Sequence, residues 1–301
     1  MNVNGYVPKN KTECNNLLSL EKTSTEDLFE LLHASRDFAR KRTAGEKCDV
    51  LRGKYVALVT KHSFFRTRIA FQIATQNVGG NAMVLPLSGS SLEDYLKDRD
   101  AVNAIKGYGV AGFVVDTSVS RDAEIMDNYS TLPIINANSR TSPCQTLASL
   151  LTIWQRKEKL HDLKIAVIGD LREADCSLLY GAAKCGMDVN VVCPEYAEPP
   201  ANAADYCRQF CDVEIFNDLE DGLAGADVIY IMSHDFDLSF EIDERSLRYA
   251  KNNAVILHSL PVRRDCEIAE TLLDSPNCLI NEQSANLLPV LEAVESLIIG
   301  K

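Results

Sequence analysis

Short apolar runs alternate with stretches of helical periodicity along nearly the whole chain, and this alternation restricts its fold more than any other feature. Segments 55–59, 81–85, 110–115 and 133–136 read as strands in the first half, and 163–169, 189–193, 213–215, 228–232 and 254–258 in the second. Helices are expected over about 25–42, from 69 to the Gly79-Gly80 pair, and over 92–108, 121–129, 146–159, 177–186, 201–211, 219–223, 242–250 and 286–299. The first has hydroxyl and acidic residues at Thr23, Ser24, Thr25, Glu26 and Asp27, ahead of Leu28, Phe29, Leu31, Leu32 and Phe38 at helical spacing. Strands joined by helices pair in parallel, with helices covering both faces. The expected fold class is therefore α/β: two doubly wound parallel-sheet domains with an interdomain cleft at the C-terminal ends of the strands, where such sheets bind ligands. A chain of 301 residues holds two cores of about 150 residues. These are placed at 1–150 and 151–285, the helix at 146–159 leading from one to the other.

Composition removes several classes of function. A net charge of −12 argues against nucleic acid or an anionic membrane surface as partner. No apolar run reaches the roughly 20 residues of a membrane span, and no signal peptide opens the chain, so a cytoplasmic protein is expected. The ten cysteines are scattered through expected strands and helices, as reduced thiols would be, not arranged as a small-domain disulfide framework. Cys207 and Cys211 lie four apart on an expected helix, with no matching His or Cys pair nearby, so buried thiols are the reading and no metal or cofactor is expected.

Lys61 to Phe71, K-H-S-F-F-R-T-R-I-A-F, carries the chemistry. It joins the first strand of the 55–59 run to a helix through Arg66, Thr67 and Arg68. Hydroxyl and guanidinium donors at a helix start make an anion cradle, because the free backbone N–H groups already point there. On any surface the same triplet also occurs as a solvated charge pair. Downstream come Ser142-Pro143-Cys144-Gln145, then His258-Ser259-Leu260-Pro261-Val262-Arg263-Arg264, then Glu282 to Asn286.

That order resembles the aspartate/ornithine carbamoyltransferase family, with its S-T-R-T-R, H-P-x-Q, H-x-L-P and late E-x-x-N-R motifs; the L-P-V-R-R run is closest to the N-acylornithine type. The resemblance implies transfer of a carbamoyl group from carbamoyl phosphate to an amino-acid amine, a homotrimer, and a C-terminal helix, 286–301, packed back on a carbamoyl-phosphate-type first domain, the second being of amino-acid-binding type. It assigns the phosphate to Arg66, Thr67 and Arg68, the carbamoyl group to Gln145 and the Leu260 carbonyl, and catalytic roles to Arg66, Ser142 and Gln145. His258 is either a shaper of that loop or a satisfied core histidine at a strand end. Ser91 and Lys97 match a loop that reaches a neighbouring subunit's site in aspartate-type members, and also read as a solvated loop.

The sequence departs from the pattern at several of these places. Phe64 and Phe65 stand where the first motif has Ser and Thr, with Ser63 one place earlier; Ser142 replaces His, and Leu287 follows Asn286 where Arg is expected. Asp116, in Val114-Val115-Asp116, takes the place of the Arg of V-I-R, and Arg121 is the nearest substitute cation. On the acceptor side Glu173 and Asp235 add acids, and neither the D-x-W element of ornithine-type members nor the R-x-Q of aspartate-type members is present. Two functions follow: carbamoyl transfer, possible with altered ligands, or an inactive relative that binds a ligand or serves as a regulatory or assembly subunit.

Overall fold

The computed structural model describes residues 2–60, 65–86, 99–118, 121–139, 141–172, 176–232 and 240–301. It divides into two compact units. One comprises Val7–Ala148 with Asn286–Lys301, the other Met1–Tyr6 with Ser149–Ala285.

The first unit is built on a four-stranded, all-parallel sheet of β1 (Tyr55–Thr60), β2 (Asn81–Pro86), β3 (Val110–Ser118) and β4 (Ile134–Ser139), in the order β2-β1-β3-β4. Five of the six residues of β1 are buried, as expected for a strand covered on both faces. Ala57, Val59, Phe113, Val115 and Ile134 pack with Val102, Ala123 and Met126 into a continuous core. The helix Thr25–Ala44 is capped by Ser24, whose hydroxyl accepts the Asp27 N–H, and closes on Gly45 at φ 69°. The end of the chain completes this unit: Ile299 lies so close to β3 that a Cβ on Gly112 would sit 2.8 Å from it.

The second unit has five parallel strands, β5 (Lys164–Ile168), β6 (Asp188–Val192), β7 (Val213–Phe216), β8 (Val228–Ile231) and β9 (Val255–His258), in the order β7-β6-β5-β8-β9. Ile168, Val192, Ile229, Ile231 and Ile256 form its centre with Leu223, Phe240 and Ile268. In each sheet the chain reverses direction once. The C-terminal ends of neighbouring strands therefore lead to opposite sides between β1 and β3, and again between β5 and β8, which are the two topological switch points.

Several elements start elsewhere than expected. The helix after β1 begins at Phe65 and runs to Asn77, so Arg66 to Arg68 form its first turn. The helix after β4 spans Pro143–Lys157, with proline at a first helical position where no N–H is needed. The last helix, Ile280–Ile298, starts six residues earlier than its apolar stripe, placing Asn286 and Leu287 well inside it. The helix expected over 242–250 is instead a bridge from Ile242 to Ile268 and a short turn Ser246–Tyr249, because the Asp243 carboxylate takes the N–H groups of Arg245 and Ser246 at 2.9 and 2.8 Å.

Candidate active site

In the first unit the residues singled out by sequence gather at one edge of the sheet. Arg66 and Thr67 open the 13-residue helix that follows β1, whose first-turn N–H groups and dipole favour an anion. Arg66 and Arg68 are exposed there. Ser142 precedes the helix after β4, its carbonyl accepting the Thr146 N–H at 3.1 Å, and Gln145 lies in the first turn. Cys144 between them is buried, its Sγ 3.7 Å from the Asn136 carbonyl, and burial pushes its thiol pKa well up.

Asp116 completes this edge from β3, in register with Thr60 of β1 and Asn138 of β4. It is 0% exposed, and apart from the Asn138 side chain no described residue hydrogen-bonds its carboxylate. Burial raises its pKa to about 7; the Asn138 side chain, favouring the charged form, offsets this only in part. Its polar neighbours are satisfied. Thr117 Oγ1 donates to Ser139 Oγ at 3.2 Å, Ser139 Oγ accepts the Ala123 N–H, and the Asn136 amide reaches Leu18, Thr141 and Ser139. Arg121 is exposed, with its Nε 3.9 Å from Glu124 Oε2.

In the second unit His258 ends β9 with both ring nitrogens engaged. Nδ1 accepts the Leu260 N–H at 2.7 Å, so Nε2 carries the hydrogen and donates to Glu267 Oε2 at 3.0 Å; His258 and Glu267 are both fully buried. Glu267 Oε2 also accepts the Arg263 N–H at 2.8 Å. The His258 N–H donates to Gln283 Oε1, and Gln283 Nε2 to Ser149 Oγ. Leu260, at φ 56° and followed by a cis peptide bond to Pro261, is thus held by a buried imidazole. At the β5 end, Asp170 takes Arg172 Nε at 3.0 Å, which holds its carboxyl below the usual range; Gly169 is needed beside it, because a Cβ would meet Met232 at 2.6 Å.

The sequence pattern gave no sign of Glu267 or Gln283. Glu267 directly precedes Ile268, which bridges to Ile242. Ser63, Phe64, Ser91, Lys97, Glu173 and Asp235 lie outside the described residues. No group of three His, Cys, Asp or Glu side chains able to hold a metal occurs among the described residues.

Two family profiles cover the chain: residues 15–155 match the aspartate/ornithine carbamoyltransferase carbamoyl-P binding domain, and 161–298 match the Asp/Orn binding domain. The chain belongs to the aspartate/ornithine carbamoyltransferase family. An ornithine carbamoyltransferase of Methanosarcina acetivorans is 31% identical over 293 residues, covering 92% of this chain and 97% of the relative. The anabolic enzyme of Pyrococcus furiosus is 28% identical, covering 94% and 96%. The solved structure of an ornithine carbamoyltransferase from that organism superposes with a TM-score of 0.86 at 26% identity over 95% of this chain and 97% of the other. An aspartate transcarbamoylase of Trypanosoma cruzi, in complex with carbamoyl phosphate, shares the fold at a TM-score of 0.81 and 24% identity, covering 93% of each chain. Two parallel-sheet α/β domains of the carbamoyltransferase fold are thus established, and no described helix is long and apolar enough to cross a membrane.

Proposed function

We propose that this carbamoyltransferase-family protein does not carry out ordinary carbamoyl transfer to ornithine or aspartate, and serves as a ligand-binding, regulatory or assembly subunit, most simply as a cytoplasmic homotrimer. The observation that carries the reading is Asp116: a buried carboxyl where the family pattern has an arginine. With a pKa of about 7, Asp116 takes up a proton beside a phosphate dianion. Repulsion is thereby largely relieved, but the guanidinium attraction is gone. A charge-assisted hydrogen bond contributes about 1.5–3 kcal/mol. The three departures at Asp116, Ser142 and Leu287 then come to roughly 5–9 kcal/mol, a loss of more than about a thousandfold in affinity.

A second reading, working carbamoyl transfer, is favoured by Arg66, Thr67 and Gln145, which keep the anion-holding part of the pattern in the first turns of two helices at one sheet edge. In it Arg66 and Thr67 hold the phosphate, Gln145 and the Leu260 carbonyl orient the amide, and an amine attacks the carbonyl as phosphate leaves, by positioning and charge stabilisation alone. Isothermal titration with carbamoyl phosphate at low salt separates the two. No heat at millimolar ligand is expected. Micromolar binding that is lost in Arg66→Ala would overturn the first reading and direct a screen of amine acceptors.

A further inference from the structure

We propose that the cavity where the helix Thr25–Ala44 ends beside the closing helix binds a small monocarboxylate with an apolar body. The cavity measures about 260 Å³, and its walls include Phe38, Lys41, Arg42, Lys47, Asn77 and Glu292. Asn77 ends the helix in whose first turn Arg66 lies, so the cavity is roughly 16 Å along that helix from the anion cradle. It does not depend on how the cradle is read.

A buried acid fixes an arginine in this cavity. Glu292 is 2% exposed, and its Oε1 accepts Arg42 Nη1 at 2.9 Å and Asn77 Nδ2 at 2.7 Å. The guanidinium is thus held by one nitrogen, and no described residue accepts a hydrogen from Arg42 Nε or Nη2. Lys41 and Arg42 also answer the carbonyl end of their helix. Lys47 has no such role: it lies past the Gly45 cap, and no described carboxylate pairs with it.

The charges select the ligand. The cations Lys41, Arg42 and Lys47 line the cavity against the acids Glu46 and Glu292. Asp37 holds Lys41 at 2.7 Å, Arg40 lies 3.5 Å from Glu46, and Arg42 takes Glu292. What is left over is the single positive charge of Lys47, in a chain whose net charge is −12. One carboxylate neutralises it, and its two oxygens suit the unused N–H groups of the planar Arg42 fork. A phosphate dianion would leave excess negative charge beside Glu46 and Glu292. The Phe38 ring supplies the apolar wall against which the body of the ligand packs.

Saturation-transfer NMR on the full-length protein at low salt tests this, with benzoate as probe and benzamide and benzylammonium as neutral and cationic controls. Transfer to benzoate alone is expected. Its affinity should fall at least about threefold in Lys47→Gln, and at least about tenfold when Arg42→Gln and Glu292→Gln are combined, a change that removes both members of the pair and strands neither charge. Unchanged affinity in both variants, equal transfer to benzamide, or no transfer at about 10 mM benzoate overturns the proposal. Should the double variant fail to fold, Lys47→Gln and crystals of the wild-type protein soaked with 4-bromobenzoate decide the matter. Bromine signal in the cavity beside Phe38 and Arg42 supports the proposal, and signal only elsewhere, or none, overturns it.

Discussion

Glu295 is a buried carboxyl whose proton holds the closing helix to the first unit, and Glu295→Gln isolates that contribution. Glu295 is 0% exposed, and Thr75 Oγ1 lies 2.9 Å both from Glu295 Oε1 and from the Phe71 carbonyl. One hydroxyl hydrogen serves only one of these acceptors, so a proton on Glu295 completes the second contact. Glu295 Oε2 has no partner, and Glu292 one turn away adds negative charge, itself held by Arg42 at 2.9 Å and Asn77 at 2.7 Å. Burial first, then Glu292, push the pKa of Glu295 up to about 8 from 4.5, against the Thr75 hydrogen bond. The folded state therefore binds a proton that the unfolded chain gives up, and stability falls as pH rises from the unfolded towards the folded pKa. Between about pH 6 and 9 the loss is roughly 2–3 kcal/mol, from about two units at about 1.36 kcal/mol each. Glutamine mimics the protonated acid in the fold and does not ionise in the unfolded chain, so Glu295→Gln should already exceed the wild type by about 2 kcal/mol at pH 6, where the unfolded Glu is ionised, and by about 2–3 kcal/mol more at pH 9. Urea unfolding of both proteins at the two values measures this, and other titrating groups cancel in the comparison. A variant weaker by the same amount at both values would mean that Glu295 is charged in the fold, and the argument would fail.

Other perturbations have equally definite outcomes. Glu267→Ala strands the His258 Nε2–H and the Arg263 N–H in a dry interior, for a loss of about 2–5 kcal/mol in urea unfolding, whereas Glu267→Gln keeps an acceptor and should retain most of the stability. Gly112→Ala drives a methyl group into Ile299 and should cost about 1–3 kcal/mol, recovered in part when Ile299→Val is added. Ser24→Ala removes the acceptor for the Asp27 N–H and should cost about 1 kcal/mol, read as a small drop in the urea midpoint.

The alternation of strands and helices was legible because strands of a parallel sheet covered on both faces are nearly unbroken apolar runs, and β1 and β5 are such runs. Helix starts were less legible. Arg66 to Arg68 and residues 280–285 form first turns that contribute few apolar side chains, so periodicity located only the turns that follow. The stretch 242–250 misled for a different reason: Asp243 captures local N–H groups and makes a turn where spacing alone suggested a helix. At the site, the family order placed Arg66, Asp116, Gln145 and His258 in the chain. What no local pattern carried was pairing across space: that Glu267 receives the His258 hydrogen nine residues on, and that Asp116 is buried beside the Asn138 side chain.

The two switch points each present an aspartate, and their contrast argues that ionisation at these edges is set by neighbours and not by residue type. Asp170, just after β5, has the Arg172 guanidinium and backbone N–H, and its carboxyl is held below the usual range. Asp116, at the end of β3, has neither, and burial carries its pKa to about 7. At neutral pH one edge is charged and already neutralised by its own arginine, while the other is close to half-protonated. Carbon-13 carboxyl resonances assigned through Asp116→Asn and Asp170→Asn test this directly. The Asp116 signal should titrate near neutrality and the Asp170 signal below about pH 4, the ordinary aspartate range. If Asp116 titrated with Asp170 in the acid range, its carboxylate would be held charged by a cation in solution, and the weakened phosphate site would lose its footing.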